Sequence, residues 1–211
     1  MRGDSGAIWC DMTLYRTMRP VVLASASPRR KELLALSGIE FKVVPSQALE
    51  PQPDDSETPE EYAVSMARIK AVEVSGRCPD AVVLGADSVV AVDMDVLGKP
   101  VDKEDAARML GMLSGRTHRV VTGVCLVMPG REDMVFHVST DVTMTEMPPE
   151  VIRAYVLTGE PMDKAGAYAV QGRAACFVTR IEGSYTNVVG LPLAEIVALL
   201  KKREVVLSPR P

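Results

Sequence analysis

The chain has 211 residues, 47% of them hydrophobic, with 28 acidic side chains against 24 basic ones and a formal charge of −4. That is enough for one large domain or two small lobes around a real core, and the acidic balance argues against non-specific nucleic-acid binding, which needs a basic surface. No apolar run reaches the roughly 20 residues of a membrane span. Cys10, Cys78, Cys125 and Cys176 are too widely spaced for a C-x-x-C zinc site or a dense disulfide scaffold, so free thiols in a reducing cytosol are expected.

Residues 1–19 lack the apolar centre and cleavage site of a signal peptide and are expected to be a poorly ordered extension, with Met12 and Met18 as candidate natural starts. Val21-Val22-Leu23 then reads as a short buried strand, Ser27 as an N-cap, Pro28 as a first helical residue and Gly38 as the stop. Arg29 and Arg30 fall in the first helical turn, where the dipole disfavours cations unless an anion sits among the free N–H groups. The alternative is that both arginines extend into solvent or pair with acidic residues elsewhere.

Phe41 to Val44 suggests a second strand, followed by a polar loop over 45–57 that carries Glu50. Thr58-Pro59-Glu60-Glu61 supplies a cap, a first-turn proline and a capping-box glutamate for a helix to about Val74. Lys70 lies on the apolar stripe of that helix, so its ammonium either emerges at the core edge or points into a cleft. Residues 81–85 read as a buried strand delivering Ala86-Asp87-Ser88 to its carboxyl end, where open α/β sheets hold ligands. Asp87 thereby becomes a catalytic candidate, the alternative being a turn cap.

A hairpin is expected around Asp93-Met94-Asp95, with Lys99 held between Gly98 and Pro100. Asp102 should cap a helix over 103–113, strands should follow over 120–128 and 134–145, and Pro149 should open a short helix to about Leu157. A small-residue loop over 163–172, a strand near 175–181 and a helix over 192–202 complete a mixed α/β pattern. His118 and His137 sit in strands and are assigned no chemistry. The twelve methionines read as core filler. Ser25 and Ser27 lack a G-x-S-x-G elbow and suit capping and phosphate hydrogen bonding.

A cationic helix start, two constrained lysines and two loop carboxylates suit phosphate-ester or phosphoanhydride hydrolysis, in which carboxylates bind Mg²⁺ or Mn²⁺ and one accepts a proton from water. Neither a P-loop nor a G-x-G-x-x-G fingerprint is present. In ordered blocks, Ala24-Ser25-Ala26-Ser27-Pro28-Arg29-Arg30, Gly85-Ala86-Asp87-Ser88, Gly98-Lys99-Pro100, Ser114-Gly115-Arg116-Thr117-His118, residues 163–172 and Asn187-Val188-Val189-Gly190-Leu191-Pro192 resemble the Maf family of nucleoside triphosphate pyrophosphatases.

The resemblance implies a mixed twisted α/β sheet with flanking helices in two lobes around a cleft, similar to the inosine triphosphate pyrophosphatase fold. One catalytic domain would span 20–205, with 206–211 as a C-terminal tail. It also implies metal-dependent cleavage of a nucleoside triphosphate between its α and β phosphates in a cytoplasmic, house-cleaning homodimer. Asp87 matches the general base and a metal ligand, Glu50 a metal-linked carboxylate, and Ser25, Arg29, Arg30, Lys70 and Lys99 the phosphate-handling positions. Arg29, Ser88 and Gln171 match specificity positions of the branch acting on dTTP and UTP, with Ser88 standing where the family pattern has threonine. The competing expectation is a nucleotide-sensing regulator of cell division; a phosphatase releasing orthophosphate would differ by product alone.

Overall fold

The computed structural model describes residues 14–52, 54, 56–93 and 95–209. Its elements run β1 (Arg16–Thr17), β2 (Val21–Leu23), α1 (Pro28–Ala35), β3 (Lys42–Val43), α2 (Pro59–Arg77), β4 (Val82–Val92), β5 (Asp95–Leu97), α3 (Lys103–Leu113), β6 (Thr117–Val127), β7 (Met134–Met144), α4 (Pro149–Leu157), β8 (Val178–Glu182), α5 (Tyr185–Val189), α6 (Leu193–Lys202) and β9 (Val206–Leu207). Three 3-10 turns fill the stretch between α4 and β8. No described helix is long and apolar enough to cross a membrane.

Local chemistry sets the helix starts. Ser27 caps α1 by accepting from the Arg30 N–H, with Pro28 as the first helical residue. Thr58 and Glu61 form the reciprocal capping box of α2, and Asp102 accepts from the Asp105 N–H to open α3. Met94, at the tip of the β4–β5 hairpin, lies outside the described residues, as does the extension up to residue 13. Arg16–Thr17 and Val206–Leu207, assigned above to the extension and the tail, pair with each other as an antiparallel ribbon.

One mixed sheet runs β3-β2-β4-β6-β7-β8, with β5 added to β4. β4 departs from the sequence expectation: it does not end at Gly85 but continues through Asp87 and Ser88 as one strand of 11 residues. The reason is tertiary, because β6 pairs antiparallel with it without a break from Val83↔Val127 to Ala91↔Arg119. On its other edge β4 holds β2 in parallel over Val82 to Leu84 and β5 in antiparallel over Val90 to Val92. Between them, among the described residues, 85–89 have no strand partner on that edge. Asp87 thus faces a gap in the sheet edge rather than a strand end, and the two lobes share one sheet.

The helices divide unequally between the faces. Leu84, Ala86, Val124 and Leu126 pack with α1 and α6, while Val90, Val92, Val120 and Val142 pack with α3 and α4. Strand alternation places these two apolar cores on the same face. The opposite face is covered by α2, whose Ala67, Ala71 and Val74 pack on Val83 and Cys125. Its seat is made by two glycines: a Cβ on Gly85 would lie 2.3 Å from the Ala67 carbonyl oxygen, and one on Gly123 2.2 Å from the Ala63 backbone. The bare strand surface lets the helix backbone approach and sets how far Lys70 reaches past the β4 edge.

Candidate active site

A cleft of about 670 Å³, within the size range of small-molecule sites, opens at the gap in the β4 edge and is lined by the start of α1, the 45–57 loop, α2 and the 163–171 segment. Ser25, Arg29, Arg30, Glu50, Lys70, Asp87, Ser88, Lys99 and Gln171, distant in sequence, all line it. Because neighbouring strand residues point to opposite faces, Asp87 meets groups from α2 whereas Ser88 meets groups from α1 and α5. The cleft wraps around the strand edge and reaches both.

On the α2 side, Lys70 Nζ donates to Asp87 Oδ1 at 2.6 Å and lies 3.0 Å from Glu50 Oε1. The Lys70 and Asp87 side chains are only 11% and 14% exposed, whereas Glu50 is 54% exposed. Lys70 therefore points into the cleft rather than to solvent, and its ammonium sits between two carboxylates that would otherwise repel. The Glu50 loop is strapped to the same helix. Arg77 donates to the Pro45 carbonyl at 2.8 Å, Glu73 accepts from Gln47 N–H at 3.1 Å and the Tyr62 hydroxyl donates to the Pro51 carbonyl at 3.0 Å. Tyr62 also lines the cleft, where burial and then the charges of Asp87 and Glu50 raise its hydroxyl pKa.

On the other side, Arg30 is held at two points: Nε donates to the Gly190 carbonyl at 2.8 Å and Nη2 to Ser88 Oγ at 3.0 Å. Burial pulls its pKa below the ordinary arginine value while Asp87 works against that, and the guanidinium remains charged. The side chain thus stays put as a cation, with its remaining donors unspent. The Ser88 hydroxyl, matched above to a specificity position, is engaged with Arg30 and Thr122 Oγ1. Ser25 is buried and accepts from Ser27 N–H at 3.1 Å. Arg29 reaches across the cleft to Asp163 at 3.6 Å, so in this state it is paired rather than directed at solvent.

Beyond the charged groups the cleft wall turns apolar with Val90, Met109, Val120, Tyr168, Val188 and Val189, the lining expected of a flat organic moiety. Tyr168 is held from behind by His118, whose Nε2 lies 2.8 Å from its hydroxyl; His118 is 2% exposed and burial lowers its pKa to about 4. This is a structural histidine, in keeping with its assignment to no chemistry. Gln171 stands exposed at the rim on a loop stapled by Glu160, whose Oε1 accepts from Arg173 N–H and the Tyr155 hydroxyl, each at 2.9 Å.

Sequence reasoning did not single out Asp163, Glu160, Tyr62 or Thr122 for these roles. The pairings depend on the gap in the β4 edge and on α5, neither of which leaves a local signal. No cluster of three or more His, Cys, Asp or Glu side chains suited to a metal converges among the described residues. The donor set nevertheless fits Mg²⁺ or Mn²⁺, which bind through one or two carboxylates with substrate phosphates and water completing the shell: Glu50 and Asp87 present hard oxygens to one point, marked by the cation Lys70 already places there.

Fold and site together define a mixed α/β protein with a mid-sheet cleft that pairs a cationic helix start with two convergent carboxylates. A family model described as Maf-like protein matches residues 20–203, and the chain belongs to the Maf-like family. A dTTP/UTP pyrophosphatase of Nitratidesulfovibrio vulgaris is 49% identical over 191 residues, covering 90% of each chain. One of Thermococcus gammatolerans is 52% identical over 182 residues, covering 86% of this chain and 95% of the relative. Among solved structures, a HAM1 protein from Coxiella burnetii is similar at 17% identity with a TM-score of 0.48, over 88% of this chain and all of that one.

Proposed function

We propose that this chain, as one catalytic unit over residues 20–205, hydrolyses dTTP and UTP to the nucleoside monophosphate and pyrophosphate. The observation that carries the reading is Lys70 placed between Glu50 and Asp87, opposite the Ser27–Arg30 helix start across one cleft. The names of relatives about half identical over nearly the whole chain support the same substrate class.

The triphosphate enters at the α1 start, where the free N–H groups and Arg30 meet its negative oxygens, and where Arg29 exchanges Asp163 for phosphate. Phosphate oxygens also offer Lys70 an alternative partner. That frees Asp87 Oδ1 from the ammonium to face the attacking water. Asp87 then accepts a proton from water as the water oxygen bonds to the α-phosphorus, and the bond from that phosphorus to the bridging oxygen breaks with the electron pair leaving on pyrophosphate. Asp87 and Glu50 would hold a divalent cation, which when bound would supply Lewis-acid stabilisation of the developing phosphoryl charge. Lys99 and Arg30 stabilise the leaving pyrophosphate, and the apolar wall with Gln171 at its rim receives the pyrimidine.

The cytoplasmic setting and the homodimer implied by the family resemblance belong to the same proposal. The test is product analysis: protein with Mg²⁺ or Mn²⁺ and dTTP, UTP, CTP, GTP or 7-methyl-GTP, with all phosphate species resolved. Monophosphate plus pyrophosphate, fastest from UTP and dTTP and reduced about 10² to 10⁴-fold in Asp87→Asn, is the expected result. Orthophosphate as the first product, or unchanged turnover in a folded Asp87→Asn protein, overturns it.

A further inference from the structure

Between the two apolar cores on the α1 side of the sheet runs a row of polar side chains. Ser88 on β4 lies directly opposite Thr122 on β6, and Thr140 on β7 is the register partner of Val120, two residues from Thr122. Thr122 and Thr140 are essentially inaccessible. Asn187 of α5 sits over this row, fully buried. Its Nδ2 donates to the Val120 carbonyl at 3.1 Å and to Thr140 Oγ1 at 2.9 Å, while its Oδ1 accepts from no protein group. The backbone carbonyl of Asn187 accepts from Thr122 Oγ1 at 3.3 Å.

A five-residue helix cannot hold itself in place through its own hydrogen bonds; α5 is held at its start by the Ser184 N–H on Thr140 Oγ1 at 3.1 Å and at its centre by the Asn187 amide. Two routes lead from that dock to Arg30. In the first, α5 ends at Gly190, whose φ of +124° suits glycine and whose carbonyl accepts from Arg30 Nε. The second is a chain of hydroxyls: Arg30 Nη2 donates to Ser88 Oγ, Ser88 Oγ and Thr122 Oγ1 share a hydrogen bond at 2.8 Å, and Thr122 Oγ1 donates to the Asn187 carbonyl. Each bond in such a chain polarises the next. Both protein contacts of the guanidinium thus converge on one residue.

We infer that Asn187 is a positioning residue for Arg30: its amide fixes α5 against β6 and β7 so that the guanidinium presents its remaining donors to the cleft in one orientation. The inference concerns how the phosphate end of the proposed site is aimed, and its turnover arm rests on that reading.

The experiment has two arms. In ¹⁵N-detected spectra the Arg30 Nε–H, identified by its disappearance in Arg30→Lys, should give a dispersed and slowly exchanging signal that moves to the position of solvated arginines in Asn187→Leu. Thr140→Val removes one of the two acceptors of the Asn187 amide and asks the same question should Asn187→Leu not fold. In the second arm, Asn187→Leu should lower kcat/KM for UTP by about 10²-fold, the scale of a misaimed group, yet by no more than about threefold in an Arg30→Lys background, since the two act as one unit. An unchanged Arg30 signal in a folded variant overturns the inference, and so do fully additive losses. Should the signal respond as expected while the wild type turns over no nucleotide, the positioning role stands and the pyrophosphatase reading falls.

Discussion

Removing the ammonium of Lys70 leaves Glu50 and Asp87 facing one another with no cation between them. In Lys70→Met we expect turnover to fall at least tenfold, because the phosphates lose a charge partner, while Mn²⁺ binding without nucleotide tightens, as read by electron paramagnetic resonance. Unchanged Mn²⁺ affinity would show that Lys70 does not hold the point at which the carboxylates meet. His118 supports a prediction about stability rather than rate. Burial lowers its pKa from 6.5 to about 4, so the fold favours the neutral ring, and below pH 6.5 the unfolded chain binds a proton that the native one refuses. Stability is therefore complete above pH 6.5 and declines as pH falls toward 4, by about 3 kcal/mol from this group. Urea midpoints across that window should fall in the wild type and fall less in His118→Gln.

At the scale of elements, α2 does most to build the cleft, supplying Lys70 and the straps on the Glu50 loop. Its seat on Gly85 and Gly123 leaves no room for a methyl group, so Gly85→Ala should displace the helix. The expected cost is about 1–3 kcal/mol in stability, with a loss in kcat larger than thermal destabilisation explains because Lys70 moves with the backbone. Thermal melts and kinetics on the same sample test this. The starts of α1 and α2 were readable from Ser27-Pro28 and Thr58-Pro59 because caps are local chemistry. The first part of β4 was readable as well, but its unbroken course through Asp87 and Ser88 was not, since Gly85 and Asp87 resemble a turn until β6 is laid along them. α5 left no periodic signal, being too short to have one, and its place in the structure comes from Ser184 and Asn187.

Across the molecule, one sheet carries two apolar cores separated by a polar row, and the cleft lies where that row meets the open edge of β4. Charge and family resemblance were enough to nominate Arg29, Arg30, Lys70, Asp87 and Gln171, whereas the pairing of Arg29 with Asp163 and of Lys70 with both carboxylates required the sheet to bring segments far apart in sequence together. The core beneath α1 and α6 extends to Val206, which is fully buried. Val206→Ala should cost roughly 2 kcal/mol and leave KM for UTP unchanged; a raised KM would mean that the two regions are coupled.

Because β1 and β9 lie side by side, with Arg16 opposite Leu207 and Thr17 opposite Val206, the stretch from Arg16 to Leu207 nearly closes on itself. A linker of about 2–5 residues, the length of a hairpin loop, could join them into a ring. That ring could be reopened at Gly130, in the turn between β6 and β7, where a Cβ would meet nothing within 4 Å and no residue from 128 to 133 lines the cleft. β7 would then leave the ribosome before β2, while every pairing described here is preserved. Such a permuted chain should fold, and a fusion partner or label at its new ends would sit on the turn between β6 and β7, away from the cleft.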